Sequence, residues 1–373
     1  MFKKIYIHNY KCFENFELEV DEIKTLLFLG KNGTGKSSLL NVLTILRDIA
    51  RGKNLLDDLF KIDDFNNHKK PLEIYCTIQI DEKNEIGEID NKVFDYEFSI
   101  IWNDEFHRVK INYEKLSVNQ QIIYERDDNG AITFGDSIFT LDWHSAALPL
   151  LISRNKKVED DLNLLKEWLS SMILIAPVPS LISSFSEKEE SILQKTASNF
   201  VSWFRNLYTS YPKLYLELDK TLKDIFTDFD RIELAPYGNN SRVLNILFSY
   251  EEGKIAPLKL KIEQLSDGEK VLIIASTIIA LTSVKDKIFC FWDEPDNYVS
   301  IYVVETLISY MKKKFDRSKS HQLFITSHDE LVINAFPHSK IRFFYRNSHQ
   351  APTRVKIFEQ DADIVDLIKF GND

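Results

Sequence analysis

The eight residues Gly30-Lys31-Asn32-Gly33-Thr34-Gly35-Lys36-Ser37 constrain this chain more than any other segment. They follow the apolar run Thr25-Leu-Leu-Phe-Leu29 and precede Ser37 to Ile49, where Leu39, Leu40, Val42, Leu43 and Leu46 recur at helical spacing. A buried strand, a glycine loop and a helix in this order turn backbone N–H groups inward at a helix N-terminus, where the dipole favours an anion. The spacing G-x-x-x-x-G-K-S adds a lysine able to reach β- and γ-phosphate oxygens and a hydroxyl able to ligate Mg²⁺. The candidate phosphate-binding residues are therefore Gly30, Asn32, Gly33, Gly35, Lys36, Ser37 and Ser38, with Ser37 also a metal ligand.

Around this loop the hydrophobic period changes along the chain. Ile5 and Ile7, then Phe16 and Leu18, read as an N-terminal strand pair. From about 72 to 135 the period is two, with Leu72, Ile74, Cys76, Ile78 and Ile80 and again Phe94, Tyr96, Phe98 and Ile100, and Asn129-Gly130 fits a hairpin turn. From about 155 to 228 the spacing is helical: Val158, Leu162, Leu165, Leu169 and Met172, then Leu193, Ala197, Phe200, Phe204 and Leu207. These stripes are too short for a free-standing coiled coil and fit packed helices. From about 243 strand and helix alternate to the end. The expected fold is α/β with a mixed sheet core, an antiparallel β subdomain and a helical insertion, divided as residues 1–150, 151–230 and 231–373.

Three further segments carry chemistry. Ile288-Phe-Cys-Phe-Trp292 is an apolar strand that ends in Asp293 and Glu294, and a buried parallel strand puts such carboxylates at its C-terminal tip, beside a phosphate loop. Asp293 suits Mg²⁺ and Glu294 suits a general base that polarises water. Gln322-Leu-Phe-Ile-Thr-Ser327 reads as another buried strand and delivers His328, placed to reach a γ-phosphate. Leu265-Ser-Asp-Gly-Glu-Lys270 precedes the apolar helix Val271 to Thr282, so Ser266 and the backbone at Gly268 form a second anion-binding helix end.

Taken in order, these elements resemble the ATP-binding-cassette ATPases of the SMC/RecF type. Leu265 to Glu269 is similar to their LSGGQ signature, Asp293-Glu294 to the second Walker motif, Glu294 to Asn297 to the D-loop and His328 to the switch histidine. Asn9-Tyr-Lys-Cys-Phe13 is similar to the stretch in which a basic residue, here Lys11, commonly lies near nucleotide or DNA. The resemblance implies ATP and Mg²⁺ as cofactors, hydrolysis of ATP to ADP and phosphate, and a head-to-tail homodimer with nucleotide at its interface. Asp267 stands in place of the first signature glycine, and the Q-loop is not obvious: Asn66, Asn67 and Gln79 are candidates that read more readily as ordinary loop or strand surface residues. The stretch between Gly30 and Leu265 is too short for an SMC arm and holds no CxxC hook, and little chain follows His328 for an appended nuclease. The resemblance is nearest to compact AAA-family ATPases of bacterial defence operons, Septu-like or retron-associated, in which a nuclease or toxin effector is a separate, neighbouring chain. The rival reading is a RecF-like, ATP-gated DNA clamp of repair or recombination.

Composition bears on partners. A net charge of −10 argues against binding DNA or RNA through overall charge, so such binding would need a local patch. The run Lys340-Ile-Arg-Phe-Phe-Tyr-Arg346 with Arg354 and Lys356 is either that patch or a terminal strand pair with one solvated face. Cys12, Cys76 and Cys290 form no CxxC, and no segment reads as a membrane span or signal peptide, which makes a reducing cytoplasm the expected location.

Overall fold

A computed structural model describes residues 1–83, 89–249 and 256–358. The chain forms two compact units, one of residues 1–172 and 338–373 and the other of 173–337. The three-way division expected above follows changes of sequence period, whereas these units follow packing. The end of the expected last segment, 359–373, lies outside the described residues.

In the first unit β1 (Phe2–His8) and β2 (Phe16–Glu19) form an antiparallel pair with Ile5 opposite Leu18 and Ile7 opposite Phe16. All four side chains are buried, because alternation puts every second residue on one face. After β3 (Thr25–Leu29), α1 (Lys36–Ala50) and the short α2 (Leu56–Leu59) come β4 (Leu72–Lys83), β5 (Ile89–Asn103), β6 (Arg108–Val118), β7 (Gln121–Arg126), β8 (Ala131–Phe134) and β9 (Ser137–Thr140). With the first pair they make an antiparallel sheet in the order β2-β1-β4-β5-β6-β7-β8-β9. Gly130 closes the β7–β8 hairpin at φ 86°, where a side chain would be strained. Helix α3 (Lys156–Ser170) follows, with Asn155 as N-cap and Leu162, Leu165 and Leu169 buried.

The second unit opens on β10 (Ile173–Ile175), a fully buried strand inside the stretch expected to be helical. The run Met-Ile-Leu-Ile is apolar on every side, which suits a strand covered on both faces better than an amphipathic helix. Next come β11 (Phe185–Ser186), α4 (Phe200–Ser210) and α5 (Leu214–Ile225). Leu193 and Ala197 do not extend α4 as their spacing suggested. Ala197 has φ 56°, and the Asn199 side chain accepts from the Gln194 N–H at 2.8 Å and donates to the Ile192 carbonyl at 2.8 Å, bonds that replace a helical turn. Strands β12 (Phe229–Tyr237), β13 (Ser241–Phe248) and β14 (Leu258–Lys261) with β11 form a small antiparallel sheet centred on β13. Then α6 (Asp267–Leu281), β15 (Ile288–Trp292), α7 (Ile301–Arg317), β16 (His321–Thr326) and α8 (Glu330–Asn334) complete the unit. Strand β15 lies between β10 and β16, parallel to both.

The chain returns to the first unit as β17 (Ile341–Tyr345), parallel to β3, and β18 (Arg354–Ile357), antiparallel to β17. The cation-rich terminal run is thus a strand pair. Among the described residues no helix is long and apolar enough to cross a membrane.

Candidate nucleotide-binding site

In the first unit β3 is buried along its whole length and releases the chain into the glycine loop. Gly30 at φ 149° lies so close to the Phe344 carbonyl that an added Cβ would collide with it. Gly35 at φ 98° would place a Cβ 2.7 Å from Cys12 Sγ and 3.0 Å from the Phe13 ring. Gly33 also has positive φ, 79°, with open space around it. Helix α1 then starts with no side-chain cap and no acidic residue in its first turn, which leaves the helix end suited to an anion. Asn32, Gly33 and Ser37 are exposed, Ser38 is half-buried, and Lys36 is 5% exposed. Lys36 Nζ donates to the Gly30 carbonyl at 2.5 Å and the Lys31 carbonyl at 3.3 Å, folded over the loop it belongs to.

Two residues of the connection between β17 and β18 hold the loop from outside. Arg346 Nη1 donates to the Gly33 carbonyl at 3.0 Å, and the fully buried Thr353 donates its hydroxyl to the Thr34 carbonyl at 2.9 Å. The Thr353 N–H also bonds the Cys12 carbonyl at 2.9 Å, tying the N-terminal turn to the same support. Lys11, at φ 48°, lies 3.3 Å from Asp64 and 5.3 Å from the centre of the Tyr10 ring, so its charge is already paired. Asn66 and Asn67 flank this turn. The Asn9 side chain donates to the Asn67 carbonyl and accepts from its N–H, both at 2.8 Å, while Gln79 on β4 bonds Asp81 at 3.1 Å.

In the second unit β15, fully buried, delivers Asp293 at 8% exposure and Glu294 beyond it. Thr326, at the end of the neighbouring β16, donates to Asp293 Oδ1 at 2.6 Å and accepts from the Glu294 N–H at 2.9 Å. One hydroxyl thereby fixes both the carboxylate and the backbone that follows. Glu294 has φ 50°, a conformation worth about 1–3 kcal/mol of strain for a non-glycine residue. Its carboxylate accepts from Asn297 Nδ2 at 2.8 Å and stands 3.7 Å from His328 Nε2. Burial and the nearby Asp329 and Glu294 push the Asp296 carboxyl up, partly offset by hydrogen bonds from its own backbone and Ser327.

Also in this unit, Ser266 caps α6 in a reciprocal box: its Oγ accepts from the Glu269 N–H at 3.3 Å, and Glu269 Oε2 accepts from the Ser266 N–H at 2.8 Å. Asp267, the departure from the signature pattern, is paired with Lys270 at 3.2 Å. Gly268 packs so that an added Cβ would lie 2.9 Å from the Tyr298 carbonyl.

A family profile described as RecF/RecN/SMC N terminal domain matches residues 1–350. The chain belongs to the RecF/RecN/SMC N-terminal-domain family. Its fold is that of an SMC head. The head of an SMC protein bound to the C-terminal winged-helix domain of ScpA shares 14% identity over 98% of this chain and 99% of that one, with a TM-score of 0.57. The SMC head domain from Thermotoga maritima, at 12% identity over 96% and 99% of the two chains, gives 0.47. The head with an extended coiled coil bound to the C-terminal domain of ScpA, derived from Pyrococcus furiosus, gives 0.48 at 13% identity over 99% of each chain. A search of curated proteins gave no match.

Within this RecF/RecN/SMC head, the segments singled out in the sequence are the glycine loop, the paired carboxylates at the end of β15 and the capped start of α6. Thr326, Arg346 and Thr353 were not singled out for these roles. Thr326 had a faint signal in the Thr-Ser pair before His328, whereas Arg346 and Thr353 had none, because their partners are backbone carbonyls more than 300 residues away. The cations read as a possible nucleic-acid patch are largely engaged in the fold. Arg342 is buried and bonds the Ser339 carbonyl, Arg354 bonds the Glu14 carbonyl, and Lys356 lies over Phe343 and Tyr345.

Proposed function

We propose that this chain binds and hydrolyses ATP as a molecular switch. The observation that carries the reading is the Gly30–Ser37 loop, with three glycines at positive φ and a helix start that no side chain caps. In this reading backbone N–H groups of Gly33 to Ser38 hold the phosphates, Lys36 leaves the Gly30 carbonyl for the β- and γ-oxygens, and Glu294 accepts the proton of the attacking water. The water oxygen bonds the γ-phosphorus as the bond to the ADP oxygen breaks, and His328 contacts the departing phosphate.

Ser37 and Asp293 are the proposed Mg²⁺ ligands. They fit the ion in kind, since Mg²⁺ in phosphoryl-transfer sites takes one or two protein oxygens and completes its shell with phosphate and water. Bound there, the ion would neutralise phosphate charge.

From the family resemblance, Ser266 and Gly268 of one copy close on the ATP of another, making a nucleotide-sandwich homodimer. On the same ground the switch controls a separate nuclease or toxin in anti-phage defence. The DNA-clamp alternative draws on the 340–356 cations, and their engagement within the fold counts against it. Light scattering on the Glu294→Gln protein with ATP and Mg²⁺, alone and co-expressed with the adjacent open reading frame, tests the whole reading. An ATP-dependent dimer that retains the neighbour supports it, capture of DNA instead supports the clamp, and undiminished turnover in Glu294→Gln removes the catalytic assignment. Lys36→Ala should abolish nucleotide binding.

A further inference from the structure

Strand β9 ends the eight-stranded sheet of the first unit. Its sequence, Ser137-Ile-Phe-Thr140, has no charge and no proline, the usual guards against pairing at a sheet edge. Beside it opens a groove of about 800 Å³, floored by Phe134 and Phe139 and walled by the segment from Leu150 to Asn155. Ile122, Leu150 and Ile152 line it yet are 56%, 46% and 78% exposed, and Ile138, on the opposite face of β9, is 75% exposed. Single aliphatic side chains in water are ordinary, but several around one groove and one strand edge mark an interaction surface.

The charge at the groove's end selects the occupant. Arg154 lines it, and Lys156 and Lys157 follow as the first two residues of α3, all three exposed. Cations there oppose the positive end of the helix dipole, an unfavourable placement that an incoming carboxylate would relieve. Of the acidic residues nearby, Glu159 of the same turn is already engaged, accepting from the Ser153 N–H at 2.6 Å, Asp160 is exposed one residue further along α3, and Asp136, which also lines the groove, stands on the β8–β9 turn.

We propose that this edge and groove bind an extended segment of a partner protein that pairs with β9 as a further strand. Alternate apolar side chains of that segment enter the groove or cover Ile138, and acidic residues at one end meet Arg154, Lys156 and Lys157. Backbone pairing supplies affinity, and the pockets and charges supply selection. The groove shares no residue with the phosphate loop, so the proposal does not depend on ATP hydrolysis.

The test uses the full-length protein and two fluorescein-labelled peptides of about nine residues, alternating valine and threonine, one ending in two glutamates and the other in two lysines. The acidic peptide should bind saturably by anisotropy, and the basic one about tenfold more weakly. Arg154→Glu should reverse that order, and Ile152→Asp should weaken both, with circular dichroism confirming that each variant folds. Binding that ignores charge and both substitutions, or no binding at all, overturns the proposal. Self-association of the wild type without ATP that Ile152→Asp abolishes would assign the groove to a second copy and overturn the assignment to a different partner.

Discussion

The Asn297 side-chain amide donates to Glu294 Oε2 at 2.8 Å, three residues along the same turn. Glu294 itself is held at φ 50° while its N–H is bonded to Thr326, so Asn297 restrains the one part of the residue that the backbone leaves able to rotate. If Glu294 is the general base, this bond orients it. Asn297→Ala should then lower kcat for ATP about tenfold with little change in KM, since misplacing a catalytic group costs rate more than binding. Asn297→Asp should lower it further, because two carboxylates in contact raise the pKa of one and neutralise it. Steady-state phosphate release across pH, with a shifted profile in the aspartate variant, separates orientation from general loss of structure.

The Gly30–Ser37 loop is braced by Thr353 and Arg346 through the Thr34 and Gly33 carbonyls. Removing one such bond loosens the loop by about 1 kcal/mol, so Thr353→Val and Arg346→Met should each weaken ATP binding about three- to tenfold. Arg354→Met removes a bond to the Glu14 carbonyl, outside the loop, and should leave the affinity unchanged. Titration with a fluorescent ATP analogue measures all three.

Glu114 is fully buried in the first unit and collects four donors: the Tyr96 and Tyr124 hydroxyls at 3.0 and 2.9 Å and the Ala147 and Leu148 N–H groups at 2.7 and 3.0 Å. Burial beside this carboxylate holds both tyrosine hydroxyls well above their ordinary pKa, so they remain donors. Glu114→Ala strands all four donors near the buried Arg126 and should cost about 3–5 kcal/mol. The urea midpoint followed by fluorescence reads the loss.

Lys285 has its pKa lowered by burial. As pH rises through that lowered value the folded chain releases the proton before the unfolded chain does, so the unfolded state binds more protons and stability increases. The sign is fixed: Lys285's unfavourable contribution is present at neutral pH and fades toward the unfolded lysine value of about 10.4. Lys285→Met should therefore be more stable than the wild type at pH 7, with the gap closing as pH rises toward 10. Thermal melts across that range check it.

Much of the candidate site was legible because its geometry is local. Positive φ at three glycines, a helix start after a buried strand and a Ser-x-x-Glu box before an apolar helix each depend on residues a few positions apart, and sequence spacing records them. The alternation that placed Ile5 and Ile7 opposite Leu18 and Phe16 belongs to the same class. Where the sequence misled, a local pattern had two solutions. The apolar run at Ile173 to Ile175 satisfies a buried strand as well as a helix, and only the parallel neighbour β15, which pairs its backbone, decides between them. Leu193 and Ala197 kept a helical spacing that the Asn199 side-chain bonds override. The brace of Arg346 and Thr353 on the phosphate loop and the hold of Thr326 on Asp293 and Glu294 were decided by tertiary structure alone. A hydroxyl or guanidinium that bonds a distant group imposes no spacing on the chain, and only the fold brings the partners together.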